Sequence, residues 1–432
     1  MQVAKRIGSP MRVLMLTQIL PYPPDAGPRV KTWHVLRYLV DQGYRVNLIS
    51  YVRPEEAPYL PVLQSICERV TAVPLRRSRA ADAVHLARSY FNGRPFLLER
   101  DDRAEMRGQV AAALARGDVD IIHADQLTMT QFAPPPNGLP HGPARLFDAH
   151  NATWRILDRM RPNVSRWLRP ALAVETMRIR EYEGAIVRSY DHVLAVTETD
   201  RRALLSAANW PDTAGTDGRD RVSVLPIAVD TKALLPLDRE PGSLEVLTLG
   251  TLHYAPNAEG IRWFVREVFP LIRRGVAGVR LTIVGKNPPA DLLRAARGAD
   301  SAMSVTGYVE DLVPYLKRSG VVVVPVLSGS GMRVRILEAL SRGLPVVTTT
   351  IGAEGIAVRP GVDLLLADTP EEFAGAVLRV LLEPQTAARL STNGRRLAET
   401  RYDLRVVLRG LDAAYEASLR QRGNSLRVGR AD

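Results

Sequence analysis

Short apolar runs alternate with longer stretches of helical spacing along the chain, and this alternation starts twice. In the first half, the apolar runs predict β-strands because each is short and bounded by turn residues. Between the first two runs, Val30–Gln42 shows helical spacing and is closed by Gly43, which predicts a helix. The strands predicted in this half are Val13–Leu16, Val46–Val52, Arg69–Pro74, Ile121–His123, Arg145–Phe147 and His192–Thr197.

The second half repeats the pattern after a cluster of helix and strand breakers at Pro236, Pro241 and Gly242. The predicted strands are Leu244–Leu249, Val279–Val284, Ser304–Thr306, Val321–Val326, Pro345–Thr349 and Asp363–Leu366. The predicted helices are Gly260–Arg273, Val309–Arg318, Met332–Arg342, Pro370–Leu382 and a last one from Pro384 to about Arg420. Strands that alternate with helices in this way are typical of parallel sheets built from βαβ units.

Two successive alternations predict an α/β protein with two doubly wound, Rossmann-like domains. We expect a loose leader at 1–10, a first domain at 11–236, a second at 237–400, a C-terminal helix at 401–420 and a tail at 421–432. Open parallel sheets bind ligands beyond the carboxyl ends of their strands. Two facing domains would therefore direct their post-strand loops into one interdomain cleft.

Composition limits the partners. The chain has 432 residues, 58 Lys and Arg against 46 Asp and Glu, and a formal charge of +12. Only five basic residues are lysines and aromatic residues make up only 6%. Because nucleic-acid-binding proteins cluster basic and aromatic side chains on one element, and no such cluster occurs here, we expect no nucleic acid.

The single cysteine, Cys67, excludes a disulfide framework and a cysteine-based metal site, and it fits a reducing cytoplasm. No apolar run reaches the ~18 residues that a membrane-spanning helix needs. The run Met11–Leu16 follows Lys5 and Arg6 but carries Arg12, so it predicts a strand rather than a signal peptide.

The most informative loop lies between Pro325 and Pro345, where a buried strand ends in small residues and a helix follows. The small residues are Ser328, Gly329, Ser330 and Gly331, which let backbone N–H groups approach an anion at the helix N-terminus. Arg335 and Glu338 follow on one helical face, and they suit a phosphate and ribose hydroxyls respectively. An ordinary glycine-rich turn with a surface ion pair explains the pattern equally well. A dinucleotide fingerprint is disfavoured because Val334 replaces its third glycine.

Several motifs in the expected order resemble the retaining GT-B glycosyltransferases of family 4, also called group 1. The resemblance covers roughly residues 11–415. It rests on the Gly-x-Gly…Arg-Ile-Leu-Glu-Ala segment just described and on five further turns. These turns are 20–27, 249–257, 283–288, 306–311 and 350–355.

The resemblance implies roles for particular residues. Glu338 would hold the nucleotide ribose and Arg335 the donor diphosphate. Ser330 stands where the first glutamate of an E-x7-E motif is expected, and Thr251 replaces a second phosphate-binding arginine. The other residues implied to lie at the donor are Gly27, Gly250, Gly329, Gly331 and Tyr308, with His253 and Asn257 as further candidates.

Histidines that follow strands in the first half are the other candidates. The resemblance implies that His150, in Phe147-Asp148-Ala149-His150-Asn151, faces the transferred sugar, and we expect it to be catalytic together with Arg335. His123 suits either a cleft wall or a structural role. Asp118-Val119-Asp120 matches a metal–diphosphate motif formally, but it precedes a strand and is interpreted as a solvated turn. No metal or other cofactor is expected.

The resemblance implies transfer of a sugar from a nucleotide-diphosphate sugar to a hydroxyl acceptor with retention, in polysaccharide or lipid-linked glycan synthesis. A nucleotide-sugar epimerase or hydrolase on the same scaffold and a non-catalytic relative remain alternatives. The stretch Trp154–Tyr190 carries arginines from Arg155 to Arg188 together with Trp154 and Trp167. It is typical of a solvated helical face, and weak contact with an anionic membrane is the alternative. A cytoplasmic protein, peripheral at the inner face of the plasma membrane, is the expectation that follows.

Overall fold

The computed structural model describes residues 10–25, 27–135, 142–210, 221–252, 254–298, 301–329 and 331–428. The chain forms two compact units. Unit 1 comprises the residues up to Pro226 together with those from Leu408 onward, and unit 2 comprises Ile227–Val407.

Unit 1 is built on a parallel sheet whose strands have the order β3-β2-β1-β4-β5-β6-β7 among the described residues. Its middle strands are buried on both faces, which explains why their sequences are nearly continuous apolar runs. The strands are β1 (Arg12–Thr17), β2 (Arg45–Val52), β3 (Arg69–Pro74), β4 (Ile121–Asp125), β5 (Ala144–Ala149), β6 (His192–Ala195) and β7 (Val222–Val224).

Helices flank this sheet, and they connect its parallel strands as the alternation predicts. The helices of the first chain segment are α1 (Gly27–Asp41), α2 (Leu60–Gln64), α3 (Arg79–Asn92), α4 (Phe96–Asp101), α5 (Ala104–Ala115), α6 (Thr153–Met160), α7 (Arg169–Ser189) and α8 (Glu198–Ala207).

Unit 2 repeats the plan with a second parallel sheet, ordered β10-β9-β8-β11-β12-β13 among the described residues. Its strands are β8 (Glu245–Leu249), β9 (Arg280–Val284), β10 (Met303–Gly307), β11 (Ser319–Val324), β12 (Val346–Thr348) and β13 (Leu365–Leu366). Its helices are α9 (Ala255–Trp263), α10 (Phe269–Gly275), α11 (Ala290–Ala296), α12 (Val313–Arg318), α13 (Val334–Ser341), α14 (Pro370–Leu382), α15 (Pro384–Leu397) and α16 (Leu404–Val407). The α/β class and the two Rossmann-like sheets are thus confirmed.

The last helix, α17 (Arg409–Val428), returns to unit 1 and packs on β5 and β6. Its Tyr415 is fully buried, and its Asp412 accepts hydrogen bonds from the hydroxyls of Tyr38 and Tyr44 at 2.7 and 3.2 Å. Unit 1 is therefore assembled from two separate stretches of the chain.

The first boundary between the units lies at Pro226–Ile227, earlier than the breaker cluster at Pro236 suggests. The reason is visible at Thr231, whose backbone N–H and hydroxyl both donate to Asp403 of unit 2. Arg395 in α15 donates to the backbone oxygen of Thr231 at 2.8 Å. The segment before the breakers is thereby fixed to unit 2.

The long helix predicted from Pro384 to about Arg420 is interrupted. A π-helical turn at Ala398–Tyr402 follows α15, and Asp403 then adopts an extended conformation. The carboxylate of Asp403 accepts from the backbone N–H of Arg405 at 2.8 Å and from Thr231, so it starts a new helix rather than continuing the old one.

Helices α3, α4 and α5 were not predicted as elements. In α3, only His85 and Ser89 are buried, while Val84, Leu86, Tyr90 and Phe91 are exposed. Apolar periodicity cannot mark such a helix because its apolar side chains do not face a core. In the described part of the chain, each helix is too short or too polar to cross a lipid bilayer.

Candidate functional site

The strand order reverses direction at one place in each sheet, between β1 and β4 in unit 1 and between β8 and β11 in unit 2. At such a switch point, the loops that follow the two central strands diverge and leave a crevice in which α/β proteins bind ligands. The predicted site residues of each unit are found mainly on these loops and on the elements beside them.

In unit 2, the loop after β11 has the backbone that its glycines allow. Gly329 and Gly331 have φ angles of 103° and 87°, a region that other residues enter with strain. Ser330 lies outside the described residues, as does His253. The guanidinium of Arg333, just before α13, donates to the backbone oxygen of Gly331 at 2.6 Å. Arg333 was not predicted as a site residue, although it lies two positions before Arg335.

Arg335 joins this loop to the turn after β8. Its Nη1 donates to the backbone oxygen of Leu249 at 2.6 Å and its Nη2 to Oδ1 of Asn257 at 2.9 Å. A Cβ atom on Gly250 would lie only 2.6 Å from the same Nη1, so glycine makes room for the guanidinium. Three residues predicted separately, Gly250, Asn257 and Arg335, therefore lie together at the switch point.

The electrostatic environment of α13 fits an anion. Burial lowers the pKa of Arg335 to about 10, the neighbouring positive charge of Arg333 lowers it further, and Glu338 opposes both. Even so, the guanidinium stays charged at neutral pH. The guanidinium of Arg335 is directed to the turn after β8 rather than to Glu338. The surface ion pair between Arg335 and Glu338, which was the alternative explanation of the sequence pattern, is therefore not formed.

Glu338 lies one turn further along α13 with an exposed side chain. The protein packed around it raises its pKa, while Arg335 and Arg342 act in the opposite direction. An accessible carboxylate beside two arginines can accept hydrogen bonds from hydroxyl groups of a ligand.

Tyr308 follows β10 and is 66% exposed. The ammonium of Lys286, which follows β9, lies 4.5 Å from the centre of its ring. An exposed aromatic face beside a cation suits stacking with a planar group. Lys286 was not predicted as a site residue.

In unit 1, Gly27 is the first residue of α1 and follows the loop after β1. A Cβ atom added there would meet nothing within 4 Å, and its φ is not in the left-handed region. The fold itself therefore does not require glycine at this position.

The carboxyl ends of β4 and β5 carry a group of buried polar side chains, which we call the buried charge network. Its members are Lys31, Thr32, His123, Asp125, Asp148 and His150. Because β4 pairs with β5 in register, Asp125 and Asp148 stand side by side on the two strands. Lys31, Thr32, Asp125 and Asp148 were not predicted as site residues.

The first half of the network surrounds Asp148, which is fully buried. The ammonium of Lys31 donates to its Oδ1, and Nε2 of His123 lies 3.6 Å from its Oδ2. Burial alone would raise the pKa of Asp148, but Lys31, His123 and His150 together hold it well below its usual value. Asp148 is therefore an ionised partner of Lys31.

His123 is fully buried, and its Nδ1 lies 2.8 Å from the hydroxyl of Tyr415 in α17. Burial raises the pKa of Tyr415 well above its ordinary value, so the hydroxyl keeps its proton in this contact. Of the two roles open to His123, the structural one fits this environment. His192 is buried as well, beside the hydroxyl of Ser223 at 2.8 Å.

His150 belongs to the second half of the network. Its Nε2 lies 2.8 Å from Oδ1 of Asp125, and its side chain is 8% exposed. The hydroxyl of Thr32 lies 3.1 Å from both carboxylate oxygens of Asp125.

The chain that follows His150 is held by two carboxylates. Glu183 of α7 accepts from the backbone N–H groups of Thr153 and Trp154 at 2.7 and 3.0 Å, and Asp200 of α8 accepts from that of Ala152 at 3.1 Å. These bonds satisfy the free N–H groups at the start of α6. The turn that carries His150 is therefore fixed on both sides, by β5 and by α6.

Asp118 and Asp120 lie at the other edge of the sheet, before β4. Asp120 accepts from the backbone N–H of Arg12 at 2.7 Å, and Asp118 lies 3.4 Å from the Arg12 guanidinium. This placement agrees with the interpretation of the Asp-Val-Asp segment as a turn away from the candidate site.

The two units are of the class found in GT-B glycosyltransferases, each a Rossmann-like sheet with candidate ligand groups at its switch point. Residues 243–383, most of unit 2, match the family model of group 1 glycosyl transferases. This match to the family model lies within unit 2.

Several curated relatives match at the sequence level, and two of them represent the range of similarity. An uncharacterized 44.6 kDa protein of the cps region of Klebsiella pneumoniae is 24% identical over 168 residues, which are 38% of this chain and 43% of the relative. Glycogen synthase of Mycobacterium tuberculosis is 27% identical over 280 residues, 59% of this chain and 60% of the relative. The matched region thus spans about half the length of these relatives.

Among solved structures, HepE from Anabaena in complex with UDP is similar over 94% of this chain and 100% of its own, with a TM-score of 0.66 and 14% identity. The same protein has been crystallised with UDP-glucose. At this identity the similarity shows the fold.

Proposed function

We propose that this protein transfers a sugar from a nucleotide-diphosphate sugar to a hydroxyl acceptor. The observation that carries the proposal is Arg335, held by Leu249 and Asn257 at the switch point of unit 2 beside the glycine loop at the start of α13. A cation, backbone N–H groups and a helix N-terminus together suit a diphosphate.

The leaving group of such a transfer is the nucleoside diphosphate, and its negative charge grows as the bond to the sugar breaks. Arg335 would stabilise that charge without moving, because its two hydrogen bonds already orient it. Glu338 would accept from the ribose hydroxyls and Tyr308 would stack on the base. For His150 we propose contact with the transferred sugar.

The finer features are inferred from the resemblance to family 4: retention at the anomeric carbon, a role in polysaccharide or lipid-linked glycan synthesis, and a cytoplasmic site of action. We also propose that no metal ion takes part. His123, Asp125 and Asp148 place possible ligand atoms within 4.8 Å of one another. However, the Lys31 ammonium already neutralises Asp148, and His150 and Thr32 bond to Asp125.

Calorimetric titration with UDP and GDP tests the nucleotide site. We expect Arg335→Ala and Glu338→Ala each to weaken binding, by about 10-fold or more where a hydrogen bond to a charged group is lost. Arg262→Ala is the matched control, because Arg262 pairs with Asp291 on the surface of the same unit. Unchanged nucleotide affinity in both site variants would overturn the assignment.

Incubation of the protein with a nucleotide sugar and no acceptor separates sugar transfer from epimerisation and hydrolysis.

We further propose weak contact with an anionic membrane through the segment that joins α6 and α7. Trp167 and Leu168 are 77% and 60% exposed there, and the guanidinium of Arg166 lies 4.7 Å from the Trp167 ring. Exposed aromatic and aliphatic side chains among arginines suit a lipid interface with negative charge.

Sedimentation with vesicles tests this contact. Binding should require anionic lipid, weaken with salt and fall in Trp167→Ser, while Leu382→Ser, at an apolar position in unit 2 that is 57% exposed, should leave it unchanged. Equal binding to neutral vesicles, or no effect of Trp167→Ser, would contradict the proposal.

A further inference from the structure

The bond between Asp125 and His150 determines which nitrogen of the imidazole carries a proton. The carboxylate oxygen Oδ1 lies 2.8 Å from Nε2. An ionised carboxylate can only accept hydrogen bonds, so the proton of a neutral His150 must sit on Nε2. The other nitrogen, Nδ1, then carries a lone pair.

Asp125 is itself held in place for this bond. It is 1% exposed, and the Thr32 hydroxyl lies 3.1 Å from each of its oxygens. That hydroxyl also lies 2.9 Å from the backbone oxygen of Pro28, and its single proton is donated to one of these acceptors at a time.

Among the network residues, the imidazole that contacts Asp125 is that of His150. Lys31 donates to Asp148, and His123 faces Asp148 and Tyr415 rather than Asp125. Among the network residues, the two carboxylates are thus divided, Asp148 with Lys31 and Asp125 with His150.

The position of the imidazole ring is also fixed through the main chain. The strand β5 ends immediately before His150, and the carboxylates of Asp200 and Glu183 hold the N–H groups of Ala152, Thr153 and Trp154 immediately after it. The backbone on both sides of His150 is therefore fixed.

We propose that Asp125 is a positioning residue that holds His150 as the Nε2-protonated tautomer, so that Nδ1 accepts a hydrogen bond from a hydroxyl group of the substrate. The tautomer assignment rests on the 2.8 Å separation of Nε2 and Oδ1 and not on the proposed function. The identity of that hydroxyl as one of a sugar rests on the proposed function.

Nitrogen NMR of the full-length protein, labelled on its imidazole nitrogens, tests the tautomer without any assay of activity. The chain has seven histidines, and His150→Gln assigns the signal by its disappearance. As the pH is raised until the signal stops changing, Nε2 should appear as the protonated nitrogen. A neutral His150 protonated on Nδ1 would overturn the proposal.

Two substitutions separate positioning from structure. In Asp125→Asn the amide can donate to Nε2, so the tautomer should shift toward Nδ1–H. In Thr32→Val the carboxylate remains, so the tautomer should remain as in the wild type. Asp120→Asn, at the opposite end of β4, is the matched control and should change nothing. If Asp125→Asn leaves the His150 tautomer unchanged, the proposal fails; if it does not fold, the wild-type tautomer and Thr32→Val decide.

Kinetics then tests the consequence for the substrate. Asp125→Asn should lower kcat by about 10- to 100-fold, the effect of losing one well-placed hydrogen bond, while UDP affinity by calorimetry stays unchanged. An unaltered kcat would overturn the positioning role. If the wild type turns over no nucleotide sugar while its NMR signature is as expected, the proposed function fails and the tautomer assignment stands.

Discussion

At the scale of single residues, Gly27 can be tested for the role of its missing side chain. A glycine is needed either for a backbone conformation that other residues avoid or for the close approach of a ligand. Its φ is ordinary, and a Cβ atom would meet nothing within 4 Å, so Gly27→Ala should leave the free energy of unfolding unchanged or slightly raised. If donor phosphates approach this backbone, the same methyl group should weaken nucleotide-sugar binding. Thermal unfolding and calorimetry together check this, and unaltered donor affinity would remove Gly27 from the site.

Lys31 is a buried cation with one ionic partner, Asp148. Lys31→Met should destabilise the protein by about 3–5 kcal/mol, because it leaves a carboxylate buried without its partner. The double variant Lys31→Met/Asp148→Asn should regain much of that loss. Urea unfolding measures both.

A surface pair supplies the control for Lys31. Arg37 and Asp41 form an ion pair one turn apart on the same helix, with side chains 42% and 58% exposed. Arg37→Met should change the free energy of unfolding by less than about 0.5 kcal/mol. If Lys31→Met were as mild as Arg37→Met, the network would not hold Asp148 in its ionised form.

At the scale of elements, α9 approaches the end of β11 closely enough to require a glycine. A Cβ atom on Gly260 would lie 1.6 Å from the backbone oxygen of Pro325. Gly260→Ala should therefore displace α9 and destabilise unit 2 by about 1–3 kcal/mol or more. Because α9 also carries Asn257, the bond to Arg335 should be disturbed and nucleotide affinity should fall.

The matched control for Gly260 lies in another helix of the same unit. Gly375 is exposed within α14, and a Cβ atom there would meet nothing within 4 Å. Gly375→Ala should stabilise unit 2 by about 0.5–1 kcal/mol through helix propensity alone. Equal effects of the two substitutions in denaturant unfolding would contradict the packing argument.

The same elements show what sequence can and cannot predict. Strands buried on both faces are apolar throughout, so most strands in both sheets were predicted close to their true bounds, whereas α3 exposes its apolar residues and was missed. The glycine loop before Arg335 was predicted because its residues are adjacent in sequence. The pairing of Lys31 with Asp148 was missed because 117 positions separate them in the sequence. The helical pattern around Lys31 does not indicate which side chain of another element contacts it.

At the scale of the whole molecule, unit 2 is continuous in sequence and unit 1 is not. A fragment of residues 227–407 should therefore fold alone. Residues 1–226 should not, because they lack α17 with its buried Leu411 and Tyr415. Loss of these two side chains alone removes about 3–6 kcal/mol, a large part of the 5–15 kcal/mol typical of whole proteins.

Complementation with a peptide distinguishes a specific requirement for α17 from a general loss of solubility of the 1–226 fragment. A peptide of residues 408–432 should restore a cooperative unfolding transition to the 1–226 fragment, as followed by tryptophan fluorescence. The same peptide with Tyr415→Ala should restore it less, because it lacks the ring buried beside His123. Cooperative folding of 1–226 without peptide would show that α17 is dispensable.

Two buried groups of unit 1 should give its stability opposite dependences on pH. Burial raises the pKa of Glu183 from 4.5 to about 7, although two backbone N–H groups favour its charged form. The folded state then binds more protons than the unfolded state between these values. The contribution of Glu183 to stability is present below pH 4.5 and is lost as the pH rises toward 7, by about 1.4 kcal/mol per pH unit.

His192 acts with the opposite sign, because burial lowers its pKa from 6.5 to about 4. Between these values the unfolded state binds more protons, so stability rises with pH by a similar slope. The two slopes cancel where they overlap, and the stability of unit 1 should be nearly insensitive to these groups between pH 5 and 6, about the middle of both windows.

Two variants separate the two contributions. In Glu183→Gln the free energy of unfolding should rise with pH between pH 5 and 6, and in His192→Gln it should fall. Urea unfolding at several pH values measures the slopes, and a flat profile in both variants would show that neither group is perturbed by its burial.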